Sequence, residues 1–209
     1  GQTICCRQGR YYSLFPWVEA RHLQRGTLSL QAVQSIAALL AQLHRVGQGV
    51  QVPHVRHRLP KDGRPTFLQQ VEAILAVIAR QSPRTPFDEM AETTIRRQLA
   101  LVAATSMDYR TLGLRADHLL HGDYHDGNLF FDEKAQVAFL YDWEKTEIAP
   151  RESEVVRALL FTCFSNPHNF RGTFAPANFT LGEHFLTTYH ARYPLELKTL
   201  VAALQARYW

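Results

Sequence analysis

"HGDYHDGNLFF", residues 121–131, sets two His, two Asp, two Gly and one Asn in front of two Phe. A tight turn needs one or two such residues, so most of this polarity has another purpose. Downstream, "LFF" (129–131) and "VAFLY" (137–141) are apolar runs separated by the polar "DEKAQ" (132–136). That is the pattern of two short strands joined in a hairpin. In an antiparallel pair the residue entering the first strand lies beside the residue leaving the second. Here those residues are Asn128 and Asp142, which the hairpin sets on the order of one strand spacing apart. An amide oxygen and a carboxylate are hard donors and few in number. They suit Mg²⁺, which keeps its waters and shares itself with phosphate. Asp123, five residues before Asn128, adds a carboxylate that lies close to that metal without being needed to hold it.

"HGDYHDGN" (121–128), followed after the hairpin by "YDWE" (141–144), resembles the catalytic loop and metal loop of the aminoglycoside phosphotransferase and choline kinase-like families. These are small-molecule relatives of the protein kinases. The shared frame is H-G-D-x-x-x-x-N and then an Asp after a buried strand; protein kinases carry H-R-D-x-x-x-x-N and D-F-G. The resemblance runs over nearly the whole chain. "YYSLFPWVEARHL" (11–23) resembles the strand and hinge that contact adenine, "LLAQLHRVG" (39–47) the helix that follows, and "PRESEVVRALL" (150–160) the helix under the metal loop.

The resemblance implies an α+β, protein kinase-like fold, with a mostly helical C-terminal lobe carrying a small catalytic β-hairpin. Residues 1–20 are then a remnant of an N-terminal lobe and hinge, and 21–209 the helical catalytic and acceptor-binding lobe. The implied cofactors are ATP and Mg²⁺. Asp123 takes or orients the proton of a substrate hydroxyl as its oxygen attacks the γ-phosphate. Asn128 and Asp142 hold the metal. His125 stands where protein kinases carry a Lys and is a candidate contact of the transferring phosphoryl group, while His121 and Gly122 shape the loop. Phe15, Pro16, Trp17 and Val18 form the nucleotide-binding hinge.

Two departures stand out. Trp143 and Glu144 replace the Phe and Gly of D-F-G. In addition, no Lys precedes Lys61 and ten residues precede Tyr11, so the expectation is that the N-terminal β lobe is largely absent from this chain. Glu154, in "RESEV", is either a brace for the catalytic loop or a plain acid in a helix's first turn.

Around this centre the pattern is helical. Leu30, Val33, Ile36, Ala37, Leu40, Leu43 and Val46 recur at helical spacing after Ser29, a good N-cap. A second helix is expected from about Phe67 to Arg80, with Leu68, Val71, Leu75 and Ile78 on one face. A third begins at "TPFD" (85–88), which combines an N-cap Thr, an N1 Pro and an Asp reaching back. Its stripe is Met90, Ile95, Leu99 and Val102. Helices are also expected over about 151–164, 177–191 and 195–207, and a loop over 50–65.

Composition narrows the function classes. The chain has 209 residues, 46% hydrophobic and 20% charged, with a net charge of +4. That mild excess does not imply nucleic acid. The densest basic segment, "HVRHRLPKDGR" (54–64), has no stacking aromatic and reads as a solvated loop. Apolar runs are far too short for a bilayer. Cys5, Cys6 and Cys163 make no C-x-x-C pair, which fits a reducing cytoplasm.

Three function classes remain. The first is a phosphotransferase acting on a small hydroxyl compound. The second is a metal-dependent hydrolase using His118, His121, Asp123, His125 and Asp126, which leaves Asn128, Asp142 and the hinge-like "FPWVE" without a role. The third is an inactive or truncated kinase lobe. For the first, residues 165–209 hold only two acids, Glu183 and Glu196, against Arg171, Arg192, Lys198 and Arg207. The resemblance leaves homoserine-, sugar-, choline- and aminoglycoside-like acceptors open; among them a polycationic aminoglycoside is a poor match, and a neutral or amino-acid-like alcohol or a sugar fits.

Overall fold

The computed structural model describes residues 4–13, 17–23, 26–59, 64–104, 112–164 and 179–207. The chain opens on an antiparallel hairpin, β1 (Ile4–Arg7) and β2 (Arg10–Ser13). Its two-residue turn, Gln8–Gly9, has both φ angles positive, the geometry that matches strand twist. The helix α1 (Leu30–Gly47) follows, and Ser29 accepts the Ala32 N–H at 3.2 Å as its cap.

The buried face of α1 is Ala32, Val33, Ile36, Ala37, Leu40, Ala41, His44 and Gly47. This corrects the expected stripe at both ends, where Leu30 and Val46 are exposed. Three alanines and a histidine take inner positions because α1 lies close against the helix over 179–192 and the strand over 118–120. Ile36 and Leu40, fully buried, each contribute about 1.5–3 kcal/mol by leaving water.

The 50–65 stretch is more than a loop. Its two-residue strand β3 (Arg56–His57) lies parallel to a strand near 148, and Arg56 and Arg58 pair with Glu147 at 3.5 and 2.6 Å. Then come α2 (Arg64–Ala79) and α3 (Pro86–Ala104). At the start of α3 the Thr85 hydroxyl accepts the Asp88 N–H, and the Asp88 carboxylate accepts the Thr85 N–H and O–H. That is the reciprocal cap anticipated from "TPFD". Val71, Ile78 and Val102 are buried as expected, whereas Leu68 and Met90 are exposed. These two helices pack mainly on each other, which leaves their outer faces uncovered among the described residues.

The centre of the chain is β4 (His118–Leu120), β5 (Leu129–Phe131), β6 (Val137–Leu140) and β7 (Glu147–Ala149). β5 and β6 form the expected hairpin, with Leu129 opposite Leu140. β7 is central in a second small sheet of order β3-β7-β4. The helix α4 (Arg151–Leu159) runs into a π-helical turn, Leu160–Phe164, and α5 (Phe179–Arg192) and α6 (Leu197–Arg207) follow. One apolar core joins α1, the hairpin, α4 and α5 through Leu40, Leu129, Phe131, Val155, Phe185 and Tyr189. Among the described residues no helix is long and apolar enough to cross a membrane. The three cysteines are free. Burial pushes the Cys163 thiol up to about 12.

Gly47 ends α1 against β4. A Cβ there would stand 2.4 Å from the Leu119 carbonyl oxygen, and both partners are backbone. In an open helix Gly→Ala gains about 1 kcal/mol. Here the expected outcome of Gly47→Ala is a loss of about 1–3 kcal/mol from overpacking, read as a lower urea midpoint at unchanged m-value.

Candidate functional site

The polar loop between β4 and β5 is held by hydrogen bonds to its own backbone. Glu154, buried on the first turn of α4, accepts the Gly122 N–H at 2.6 Å and the His121 N–H at 3.3 Å. The same carboxylate accepts from His44 Nε2 at 3.0 Å, and His44 Nδ1 meets the Tyr189 hydroxyl at 2.7 Å. Glu154 is therefore the loop's brace. Burial pushes its carboxyl up, but the His44 hydrogen bond and charge, with the Gly122 N–H, outweigh this and hold it below its ordinary value.

Within the loop, His121 Nδ1 accepts the Asp123 N–H at 3.2 Å, so Nε2 carries the proton and donates to the Tyr141 carbonyl at 2.9 Å. One imidazole thus spans from Asp123 to the residue before Asp142. Gly122 has φ +82°, and a Cβ on it would lie 1.9 Å from the Lys145 carbonyl oxygen, so no other residue fits there. The Tyr124 hydroxyl, fully buried, donates to the Ile36 carbonyl at 2.8 Å and pins the loop to α1.

Asp123, His125 and Asn128 come together in this loop. Asn128 Nδ2 donates to the Asp123 carbonyl at 2.9 Å, which turns its amide oxygen the other way. His125 Nδ1 accepts the Gly127 N–H at 3.0 Å, and its Nε2 lies 3.7 Å from Asp123 Oδ1. The hairpin register puts Tyr141 against Asn128, with the Tyr141 N–H donating to the Asn128 carbonyl at 3.2 Å. Asp142 is the next residue. It adopts the left-handed conformation, φ +66°, and opens the 3₁₀ turn Trp143–Lys145.

The segment expected to be the hinge reaches the hairpin at Arg21, which exchanges two backbone hydrogen bonds with Phe131. His22 packs on Phe130 at 4.1 Å between ring centroids. Trp17 is 91% exposed and Val18 half-buried. Among the described residues no hydrogen bond, ion pair or ring contact joins these two to Asp123, His125, Asn128 or Asp142. Phe15 and Pro16 lie outside the described residues.

Lys145 and Arg157 were not anticipated from sequence. Lys145 Nζ donates to Asp123 Oδ2 at 2.6 Å, and Arg157 Nη2 donates to Asp123 Oδ1. Burial pushes the Asp123 carboxyl up. The Lys145 hydrogen bond and the charges of Arg157, His125 and Lys145 overcome that and hold it below the usual carboxylate range. Their only sequence signals were spacings: Lys145 three residues after Asp142, and Arg157 three after Glu154 on the same helix. His44 had a signal too, a polar residue on an apolar stripe.

The histidines of a hydrolytic metal cluster are engaged elsewhere. His118 meets Asp117 at 2.6 Å and the Tyr193 hydroxyl at 2.8 Å, and both nitrogens of His121 are used. Among the described residues no group of three or more His, Cys, Asp or Glu is placed to hold a metal.

A family model described as the phosphotransferase enzyme family matches residues 1–195. Among solved structures, an aminoglycoside phosphotransferase from Alicyclobacillus acidocaldarius is similar at a TM-score of 0.67 and 18% identity, covering 99% of this chain and 61% of its own. A spectinomycin phosphotransferase in complex with ADP and spectinomycin is similar at a TM-score of 0.61 and 16% identity, covering 99% and 60%. This chain thus spans about three fifths of their length. No curated protein matches it.

Breaking one side of a buried charged pair costs about 3–5 kcal/mol, and Glu154→Ala is expected to lose stability on that scale in denaturant titrations. The pH dependence follows from the lowered pKa. Glu154's contribution is fully present above the ordinary glutamate value, 4.5, and is lost as pH falls through the folded value. Between about pH 7 and pH 3 the melting temperature of Glu154→Gln should therefore fall less steeply than that of the unmodified chain.

Proposed function

The chain belongs to the phosphotransferase enzyme family, and from that premise we propose that it forms the catalytic lobe of an ATP- and Mg²⁺-dependent small-molecule kinase. The observation that carries this reading is the rigid span from Glu154 through Gly122 and His121 to Tyr141. It fixes the buried Asp123 on one side and the part-exposed Asp142 on the other. Residues 1–20 serve as the edge of the nucleotide lobe and the hinge, and 21–209 as the helical lobe. Phe15, Pro16, Trp17 and Val18 line the adenine, with the exposed Trp17 ring offering an apolar surface.

Asp123 accepts the proton of the acceptor hydroxyl. That oxygen bonds to the γ-phosphorus as the bond from phosphorus to the β,γ-bridging oxygen breaks, leaving ADP. His125, beside Asp123, contacts the transferred group through Nε2. The donor set fits Mg²⁺: Asn128 turns its oxygen away from the Asp123 carbonyl, and the Asp142 carboxylate has no hydrogen bond or ion pair among the described residues. Two oxygens leave most of a magnesium shell to water and phosphate. When bound, the ion neutralises charge on the phosphates. The rest of the work is positioning and fixed electrostatics.

The acceptor is a neutral or amino-acid-like alcohol, such as a homoserine-like compound, or a sugar. Arg157 and Lys145 flank Asp123 on both oxygens, and a polycation arriving there meets like charge.

A panel of sugars, amino-alcohols and hydroxy-amino acids assayed for ADP release identifies the acceptor. Asp123→Ala should lower turnover by about 10²–10⁴-fold while Mg·ATP binding stays within a few-fold by calorimetry; normal turnover in that variant defeats the assignment. Expression in cells should leave kanamycin resistance unchanged, and a clear rise in the inhibitory concentration contradicts the acceptor class.

A further inference from the structure

Both carboxylate oxygens of Asp123 are occupied. Lys145 Nζ sits 2.6 Å from Oδ2, and Arg157 Nη2 bonds Oδ1. A cation on each oxygen lowers the basicity of the carboxylate and competes with a hydroxyl for it, so release of one cation frees the better base for an acceptor.

The surroundings decide which one. Arg157 rises from the packed helix α4. Its side chain is 25% exposed, and its guanidinium lies 5.4 Å from the centroid of Phe161, which in turn packs on His125 at 5.5 Å. The Lys145 side chain is 56% exposed. Its backbone is fixed, because its carbonyl abuts Gly122 and its turn closes through the Thr146 N–H to the Trp143 carbonyl. Its four-carbon stem is free to swing about that fixed point. Two carboxylates act on the ammonium, Asp123 by contact and Asp142 through its charge. Lys145 thus brings a positive charge into contact with the proposed base, where it also feels the charge of the proposed metal carboxylate.

We propose that Lys145 is a γ-phosphate-binding residue that exchanges partners: it covers Asp123 Oδ2 in the ligand-free chain and moves to the terminal phosphate of a bound nucleoside triphosphate, exposing Oδ2 to the acceptor hydroxyl. Arg157 stays on Oδ1 and keeps the carboxylate in place. A diphosphate has no terminal group in reach, so Lys145 remains on Asp123 and the base stays covered after the product nucleotide forms. This inference rests on the phosphotransferase reading and adds to it the residue that tells triphosphate from diphosphate.

The test is calorimetric binding of Mg·ADP and of Mg·AMP-PNP, a triphosphate analogue that is not transferred, to the 209-residue chain and two variants. The unmodified chain should prefer the triphosphate by about tenfold, the scale of one charge-assisted hydrogen bond. Lys145→Met should bind Mg·ADP as before and lose the preference, and Lys145→Arg should restore it. The inference is overturned if Lys145→Met keeps the preference, if it weakens both nucleotides equally, or if the unmodified chain binds both equally. If the unmodified chain binds neither nucleotide, this inference falls together with the reading of the chain as a lobe that binds nucleotide by itself.

Discussion

The structure depends on one buried carboxylate. Glu154 gathers two backbone N–H groups of the loop, the imidazole of His44 and, through His44, the hydroxyl of Tyr189. Those donors come from α1, α5 and the segment after β4, so α4 is joined to three other parts of the fold at one point. Taking a carboxylate out of water costs several kcal/mol unless its lone pairs are satisfied. Here three donors satisfy them, at 2.6, 3.0 and 3.3 Å, two of them backbone N–H groups. The arrangement tolerates no register error, since a one-residue shift in α4 would bury an uncompensated charge.

From that point rigidity passes outward. Gly122 takes a left-handed conformation because the Lys145 carbonyl fills the space of a side chain. His121 then has both ring nitrogens committed, to Asp123 on one side and Tyr141 on the other. The loop and the turn after β6, about twenty residues apart in sequence, become one rigid piece. Asp123, Asn128 and the turn at Asp142 are held by backbone contacts and by the His121 ring, which cost less to bury than further charges.

The sequence carried the local part of this. Caps at Ser29 and Thr85 and the hairpin over 129–140 are short-range patterns, and each formed where its residues said. The loop frame from His121 to Asn128 was legible because spacing alone puts those groups in one turn. What was not legible depends on contacts far apart in the chain. The parallel pairing of Arg56 with Glu147 leaves no local mark, and neither does the reach of Arg157 to Asp123. The ends of α1 show the same limit. Val46 is apolar and at helical spacing, yet it faces solvent while His44 is inside, because a partner acid on α4 is worth more to the imidazole than a core position is to the valine. Glu154 was ambiguous for this reason: a first-turn acid is favoured by the helix dipole alone, and only the folded chain shows which donors it meets.

Glu154 and Asp123 are both held ionised, by different means. Glu154 is enclosed, and its partners are a buried imidazole and peptide N–H groups that cannot be exchanged without unfolding. Asp123 is enclosed on its backbone side, but its partners are long cationic side chains reaching in from the surface, one of them more than half exposed. Charge pairs of the second kind gain little from being made and lose little on exchange. The enclosed contacts of Glu154 therefore hold the loop still whatever the exposed Lys145 side chain does.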